Sequence, residues 1–318
     1  MNFETIEKAY ALLLENVQLI QNQLKTTFYD ALIEQNALYV TKEAQDSRIV
    51  DNNQALEKLN LSAEEWRRAF QFLRIKASQT ELLQVNHQLT PDSIGFILLY
   101  LLEELTADKS LDVLEIGSGT GNLAYTLLNN SQKELHYMGI EVDDLLIDLS
   151  ASMADVMQLD AQFIQEDAVR PQLMKPSDVI ISDLPIGYYP NDAIAKRYQV
   201  ASTSEHTYAH HLLMEQSLKY LKNDGLAIFL APNNLLTSPQ SDLLKDWLHQ
   251  AASVLAVIAL PENLFGHEKN AKSIFVLKKQ TDTPQETFVY QLGDLQQQES
   301  MLAFIENFQK WKTDNGQS

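Results

Sequence analysis

Residues 111 to 122 read Leu-Asp-Val-Leu-Glu-Ile-Gly-Ser-Gly-Thr-Gly-Asn. The first six are rich in branched apolar residues, a pattern typical of a short buried strand. Three glycines follow at alternate positions, where glycine permits positive φ and lets the backbone approach a ligand closely. They are Gly117, Gly119 and Gly121. Asn122 begins a predicted helix whose first N–H groups face the loop, and the whole stretch predicts a nucleotide-type binding turn at the carboxyl end of a parallel sheet.

The spacing within this turn separates it from two phosphate-binding loops. The dinucleotide fingerprint is G-x-G-x-x-G, whereas here Glu115 precedes glycines at every second position. No Gly-Lys-Ser/Thr follows, which excludes a P-loop. Glu115 would repel a pyrophosphate but accept a hydrogen bond from an ammonium or hydroxyl group.

The regions on either side predict two kinds of structure. Residues 2 to 85 lack glycine and carry apolar residues at helical spacing, with a Ser62-to-Glu65 capping box. Thr90 suits a helix N-cap and Pro91 the first helical position. After the loop, strands alternate with helices, which predicts a Rossmann-like α/β sheet of seven strands. The predicted strands are 111–116, 136–141, 162–167, 178–183, 226–232, 254–260 and 273–277.

Carboxylates end three of these strands. Glu141 lies about 20 residues beyond the loop, where an acid contacts ribose hydroxyls. Asp167 is a candidate acceptor for an adenine amine, and Asp183 opens the segment Asp-Leu-Pro-Ile-Gly-Tyr-Tyr-Pro. Carboxyl ends of parallel strands share one edge of a sheet, so three acids beside a glycine loop predict a nucleoside pocket.

Composition limits the other functions. The 318 residues contain no cysteine, which excludes disulfides, thiolate catalysis and cysteine-based zinc sites. His206 and His210 stand at helical i, i+4 spacing without a further ligand set, so no metal is expected. With no bilayer-length apolar run and no signal-peptide pattern, we expect a cytoplasmic protein that does not contact a membrane.

Charge argues against extensive contact with phosphates. The net charge is −19, of which residues 1 to 85 contribute −3 (9 Lys and Arg against 12 Asp and Glu) and the remainder −16. Nucleic-acid binding needs a basic face. The best local candidate is the cluster Arg67, Arg68, Arg74 and Lys76, which we interpret as a solvated helix face.

These motifs together resemble the class I S-adenosylmethionine-dependent methyltransferases, in particular the adenine-specific DNA methyltransferases that serve as bacterial type I restriction modification subunits. The short YtxK-like bacterial proteins are more similar still. The resemblance covers roughly residues 89 to 279 and includes a late segment, residues 259 to 274, that ends in Lys272-Ser273-Ile274. It implies S-adenosylmethionine as cofactor and the following cofactor-binding residues: Thr90, Pro91, Glu115, Gly117, Gly119, Gly121, Asn122, Glu141, Val142, Asp167 and Ala168.

The resemblance also implies a catalytic segment, which here departs from the family pattern Asn/Asp-Pro-Pro-aromatic. Asp183-Leu184-Pro185-Ile186 keeps the acid and the second proline. The Asp183 side chain and the Leu184 carbonyl could still accept the two hydrogens of an amine and return electron density to its nitrogen. Ile186 cannot stack on a base, although Tyr188 or Tyr189 could take that role or serve in packing.

Three functions stay open at this point. Transfer of a methyl group to the adenine amine of DNA is the leading hypothesis, and a protein amide such as glutamine is the second acceptor. The third is a cofactor-binding regulatory or scaffold protein with a weakened site. The predicted domains are 1–85, helical; 86–280, methyltransferase; and 281–318, a strand and helix packed on the catalytic domain. DNA binding is expected to need a partner or a local basic patch, and a homodimer is left open.

Overall fold

The computed structural model describes residues 2–79, 81, 90–265, 271–279 and 286–316. Both predicted domain boundaries, at 85/86 and at 280/281, lie outside these residues. Within the described ranges, no helix combines the length and apolar character needed to cross a bilayer. The chain forms two compact units. The first comprises Met1–Leu89, Ser118–Asn130 and Tyr137–Gln165, and the second comprises Thr90–Gly117, Ser131–His136 and Glu166–Ser318.

The first unit begins with four helices, as the apolar spacing of residues 2 to 85 predicts. They are α1 (Phe3–Leu24), α2 (Phe28–Thr41), α3 (Ser47–Leu59) and α4 (Ala63–Ala77). The capping box that precedes α4 is confirmed: the Ser62 hydroxyl accepts from the Glu65 N–H, and the Glu65 carboxylate accepts from the Ser62 N–H. This reciprocal pair satisfies two donors at the helix start.

Strands and helices then alternate along the chain. The helices are α5 (Asp92–Leu105), α6 (Asn122–Asn130), α7 (Asp144–Met157), α8 (Asp192–Ala195), α9 (Ala209–Tyr220), α10 (Ser241–Ala251) and α11 (Gln298–Asp314), with a 3₁₀ turn at Glu262–Leu264. The strands are β1 (Ser110–Ile116), β2 (Glu134–Glu141), β3 (Ala161–Gln165), β4 (Ser177–Asp183), β5 (Leu221–Pro232), β6 (Ala252–Ala259), β7 (Lys272–Lys279) and β8 (Phe288–Gln291).

These strands form one sheet in the order β3-β2-β1-β4-β5-β7-β6-β8. The α/β fold is therefore confirmed, but the sheet has eight strands among the described residues instead of the predicted seven. The additional strand is β8, which pairs in parallel with β6. β8 lies in residues 281–318, where a strand and a helix are predicted apart from the seven strands of the sheet, and Phe288 packs against Phe304, Phe308 and Trp311 of α11.

One strand of the second unit runs against its neighbours. β7 pairs antiparallel to both β5 and β6. In consequence its first residue, Lys272, pairs with Pro232, the last residue of β5. Asp183, the last residue of β4, pairs with Leu230 two residues before that end. The reversal thus brings the beginning of β7 to the edge where β4 and β5 end.

Thr90 has a different role from the predicted one. The N-cap of α5 is Pro91, the helix begins at Asp92, and no side chain caps it. Thr90 lies one residue earlier, and its hydroxyl donates to Asp183 Oδ2 at 2.8 Å. A proline ring already fixes φ near the value that a helix start needs, so the helix forms without a capping hydroxyl.

Candidate active site

Glu141 holds the glycine loop in the first unit. Its Oε2 accepts from the Gly119 N–H at 3.0 Å, and its Oε1 accepts from the N–H groups of Val142 at 2.8 Å and Asp143 at 3.1 Å. Glu141 as a whole is 8% exposed. A carboxylate has about four acceptor positions, so these three bonds leave capacity for one more donor such as a hydroxyl. The Val142 side chain, in contrast, is exposed.

The backbone of the loop requires glycine for two different reasons. Gly119 has φ +55° and Gly121 φ +77°, conformations that residues with a side chain rarely adopt. A Cβ at Gly121 would lie 2.6 Å from the Tyr125 ring, whereas a Cβ at Gly119 would meet nothing within 4 Å. The backbone at Gly119 is thus open to a ligand, as the loop of a nucleoside site should be, and the residues present fit an adenosyl cofactor.

Gly139 is a glycine of the same unit that sequence reasoning missed. The Ser118 N–H donates to the Ile140 carbonyl at 3.0 Å, and a Cβ on Gly139 would lie 2.8 Å from Ser118 Cβ. A side chain at position 139 would push the loop off β2. The signal in the sequence was a glycine inside a strand, which commonly marks a close backbone approach.

The basic cluster of α4 is not the solvated face that we predicted. Arg67 is 1% exposed and Arg74 8% exposed. Their partners lie in and after the glycine loop: Arg74 Nη1 donates to Thr120 Oγ1, and Arg67 Nη1 to Thr126 Oγ1 at 3.2 Å. Gln71, which the pattern did not single out, donates to Asn122 Oδ1 at 2.8 Å. The predicted cofactor residue Asn122 therefore has its side chain turned to α4.

Asp183 is the centre of the second unit's polar cluster. Lys272 Nζ donates to Asp183 Oδ1 and also to the Leu184 carbonyl oxygen, at 3.1 Å in the latter case. Thr90 donates to the other carboxylate oxygen. Sequence reasoning quoted Lys272 only within the late family segment and gave it no role, because 89 residues separate it from Asp183.

The two tyrosines after this segment differ in environment. Tyr188 is 53% exposed and stacks on Tyr208, with ring centroids 4.9 Å apart and planes 13° apart. Tyr189 is 7% exposed, and its hydroxyl donates to Asp167 Oδ2 at 2.6 Å. Burial and the neighbouring Asp167 carboxylate raise the pKa of Tyr189 to about 12. Of the pair, Tyr188 is the one with an exposed ring.

Asp167 lies two residues beyond its strand, not at its end. β3 stops at Gln165, and Asp167 occupies the following turn, where its Oδ1 accepts from the Val169 N–H at 3.0 Å. Ala168 beside it is buried, as is Glu115 in β1. Gly117, the first glycine, has φ +71° and also faces open space.

A pair of buried histidines, His210 and His211, lies next to the predicted catalytic segment. His210 hydrogen-bonds to the Pro185 backbone, and its ring stacks on Tyr208 with centroids 5.1 Å apart. Burial lowers the pKa of His210 to about 4 and that of His211 to about 3. Both rings are therefore neutral at physiological pH, and His210 fixes the backbone that follows Leu184. The i, i+4 spacing of His206 and His210 gave no hint of this role.

Because these two histidines are buried as neutral rings, we expect the free energy of unfolding to fall at acidic pH. Their pKa in the unfolded chain is near 6.5, above the folded values, so the unfolded state binds protons first as the pH falls. The free energy of unfolding is therefore not reduced by these histidines above pH 6.5. It declines from there toward pH 4, by at most about 1.4 kcal/mol per pH unit for each histidine. Thermal unfolding measured from pH 7.5 to 4.5 should show a weaker decline in His211→Leu, whereas a variant of exposed His249 (His249→Gln) should match the wild type. An unchanged decline in His211→Leu would contradict the assignment.

Comparisons with known proteins give the family of this chain. The family model described as N-6 DNA Methylase matches residues 72–313. An uncharacterised Bacillus subtilis protein, YtxK, is 34% identical over 325 residues that cover 98% of this chain and 98% of YtxK. A crystal structure from Listeria monocytogenes, of a protein proposed to be a class I S-adenosylmethionine-dependent methyltransferase, has a TM-score of 0.89 at 31% identity and covers 98% of this chain and 99% of its own.

More distant structures share the fold alone. The modification subunit of a proposed type I restriction enzyme from Vibrio vulnificus has a TM-score of 0.63 at 15% identity, over 81% of this chain and 62% of its own. The match of the family model over most of the chain, together with the near full-length relatives, carries the assignment. This chain belongs to the N-6 DNA methylase family.

Proposed function

We propose that this protein transfers a methyl group from S-adenosylmethionine to the exocyclic amine of adenine in DNA. A methyltransferase that uses this cofactor is what family membership and the Listeria relative support. The acceptor is our proposal. When bound, S-adenosylmethionine would supply an electrophilic methyl group and leave as S-adenosylhomocysteine, while the amine nitrogen forms the new N–C bond and loses one proton to solvent. The protein's task is to hold that nitrogen and stabilise its developing positive charge.

One observation carries the choice of an amine acceptor. A single nitrogen, Lys272 Nζ, donates at once to the Asp183 carboxylate and to the Leu184 carbonyl. The two oxygens therefore converge at a spacing that one nitrogen with two hydrogens can bridge. An adenine amine held in the same way would lose the resonance that withdraws its lone pair into the ring, because both hydrogens point at strong acceptors.

We assign the remaining residues as follows. Asp183 and the Leu184 carbonyl accept from the amine, Pro185 fixes the direction of that carbonyl, and the exposed Tyr188 ring stacks on the base. Tyr189 acts indirectly, through its bond to Asp167. For the cofactor, Glu141 takes ribose hydroxyls and Asp167 the adenine amine. The other proposed cofactor residues are Thr90, Pro91, Glu115, Gly117, Gly119, Gly121, Asn122, Val142 and Ala168.

The charge on Lys272 sets a condition on this reaction. An amine held in the position of Lys272 Nζ would replace the ammonium at both oxygens, because two nitrogens cannot occupy one place. The contact also favours a second candidate, a cofactor-binding scaffold, because a permanently bound ammonium would keep substrate out. In the methyltransferase Lys272 must move away from Asp183 and Leu184 when substrate binds, whereas in the scaffold it stays in place.

Transfer of tritium-labelled methyl from S-adenosylmethionine tests the proposal. The purified protein is incubated with bacterial genomic DNA, total RNA and lysate protein, and the label is traced in each fraction. We expect N6-methyladenine in the DNA hydrolysate. Label found only in glutamine side chains would replace the acceptor by a protein amide, and cofactor binding without transfer to any fraction would favour the scaffold.

Lys272→Met tests the displacement directly. We expect KM for an adenine-containing duplex to fall about tenfold, because the lost competitor made charge-assisted bonds of about 1.5–3 kcal/mol, with kcat changed less than about threefold. Lys278→Met removes the same charge from the same strand and is the matched control. Equal changes of KM in both variants would indicate a general charge effect and would contradict displacement.

Assembly with other subunits belongs to the same proposal. Burial of Arg67 and Arg74 leaves the proposed basic patch on α4 with only Arg68 and Lys76, while the net charge is −19. We therefore propose that DNA is presented with the help of a basic partner subunit, or that the protein dimerises on it. Localisation in the cytoplasm and a bacterial role related to restriction-modification remain part of this proposal.

A further inference from the structure

One face of α4 hydrogen-bonds to the glycine loop and to the start of the helix that follows it. Arg67, Gln71 and Arg74 stand at positions i, i+4 and i+7, which lie on the same side of a helix. All three hydrogen-bond to the segment that runs from Thr120 to Thr126. These residues belong to one compact unit, so the contacts are internal to it.

Apart from α4, backbone hydrogen bonds fix the loop: the Ser118 N–H donates to the Ile140 carbonyl of β2, and the Gly121 N–H donates to the Ser118 carbonyl, both at 3.0 Å. Glycine loses more conformational freedom on ordering than any other residue, and Gly119 and Gly121 flank Thr120. On one side, Glu141 binds the Gly119 N–H. On the other, the Thr120 hydroxyl accepts from Arg74, and the Asn122 amide oxygen accepts from Gln71 at 2.8 Å. The side chains that hold the middle of the loop, from Gly119 to Asn122, thus come from a carboxylate on β2 and from the polar face of α4.

The stability of the fold does not by itself explain why α4 has polar side chains at these buried positions. Arg74 is 8% exposed, and its Nε finds no hydrogen-bond partner among the described residues. Burying a guanidinium costs free energy unless its donors are satisfied. Apolar residues at the same helical positions would pack α4 at lower cost. A costly group is expected where it performs a task other than stabilising the fold.

We propose that Arg67, Gln71 and Arg74 are positioning residues for S-adenosylmethionine, which hold the loop backbone at Thr120 and Asn122 in its binding conformation. The N-terminal helices are then a component of the cofactor site and not a separable recognition module. The inference rests on the proposed function only through the identity of the cofactor. Preorganising a glycine-rich loop raises affinity because less freedom is lost when the ligand binds.

Calorimetric titration of the full-length chain with S-adenosylmethionine tests this inference. We expect Arg74→Met to weaken cofactor binding about tenfold and Gln71→Leu about threefold, in line with the loss of preorganisation. Lys76→Met removes an exposed charge from the same helix and should bind like the wild type. Each variant is compared at a temperature where its circular dichroism shows it folded, and Gln71→Leu provides the test if Arg74→Met does not fold.

A double-mutant cycle distinguishes positioning from general packing. Thr120→Val removes the hydroxyl that Arg74 contacts, and Thr120→Ser retains it. If Arg74 acts through this hydroxyl, Thr120→Val and Arg74→Met together should weaken binding no more than the stronger single variant, and Thr120→Ser should bind the cofactor like the wild type. Hydrogen exchange of the 118–122 amides in the cofactor-free protein should accelerate in Arg74→Met.

The outcomes separate this inference from the proposed function. Folded Arg74→Met and Gln71→Leu that bind the cofactor as tightly as the wild type, with unchanged exchange of the loop amides, would overturn the positioning role. A wild-type chain that binds no S-adenosylmethionine would instead overturn the proposed function, while accelerated loop exchange in Arg74→Met would still support the structural coupling.

Discussion

Asp183→Ala is expected to reduce methyl transfer about 100- to 1000-fold while the affinity for S-adenosylmethionine changes less than about threefold, as for the loss of one preorganised hydrogen-bonding group that acts in the transition state. The carboxylate is the acceptor for one hydrogen of the amine, and in the free protein it binds Lys272 and Thr90 instead. Its removal takes away that acceptor without touching the glycine loop. The measurement is initial-rate transfer to DNA together with calorimetric titration.

Asp183→Asn is the matched variant for this result. Asparagine keeps the size of the side chain and one acceptor oxygen, but it has no charge for Lys272. We expect it to transfer methyl groups within about tenfold of the wild type, since one neutral acceptor is retained. Transfer by Asp183→Ala close to the wild-type rate would exclude the carboxylate as the acceptor and would direct attention to other oxygens of the segment.

Glu141→Ala is expected to have the largest effect on cofactor binding. Its carboxylate accepts three backbone N–H groups, including that of Gly119, and in our proposal it also takes the ribose hydroxyls. Charge-assisted hydrogen bonds contribute about 1.5–3 kcal/mol, which corresponds to roughly 10- to 150-fold in Kd. In Glu141→Ala the Kd for S-adenosylmethionine should rise, while kcat at saturating cofactor should change much less.

Asp148→Ala is the control for this variant, because it removes an equal charge from the exposed side of α7. Glu141→Gln separates the effect of losing the negative charge from the effect of losing both acceptor oxygens. It preserves one acceptor oxygen but introduces a donor that faces backbone N–H groups, so we expect an intermediate Kd. If Glu141→Ala and Asp148→Ala bound S-adenosylmethionine equally well, the role of Glu141 in the cofactor site would be wrong.

The local structure of the glycine loop was readable in the sequence. Branched apolar residues favour the buried strand β1, and glycines at alternate positions permit the positive φ values found at all three sites. The start of α4 follows from a capping box whose two bonds join residues three apart. The cofactor family was likewise evident, because motif order and spacing are properties of the chain itself.

The chemistry around these motifs depended on distant residues. Lys272 contacts Asp183 because β7 runs antiparallel to β5, a pairing that local patterns of apolar residues do not encode. Arg74 reaches Thr120 across 46 residues of sequence. A helical pattern shows that Arg67 and Arg74 share a face, but only packing shows that this face is buried, and so our interpretation of a solvated cluster was wrong.

The sequence by itself thus determined the family, the α/β class and the loop, since these follow from backbone preferences and from side chains close along the chain. Only the tertiary structure decided that β7 lies between β5 and β6 and runs antiparallel to both. It also decided the contact of Lys272 with both candidate acceptor oxygens and the hydrogen bonds between α4 and the glycine loop. Strand pairing and helix packing bring together residues that many others separate. The free energy of such contacts depends on burial and geometry, which appear only once the chain has folded.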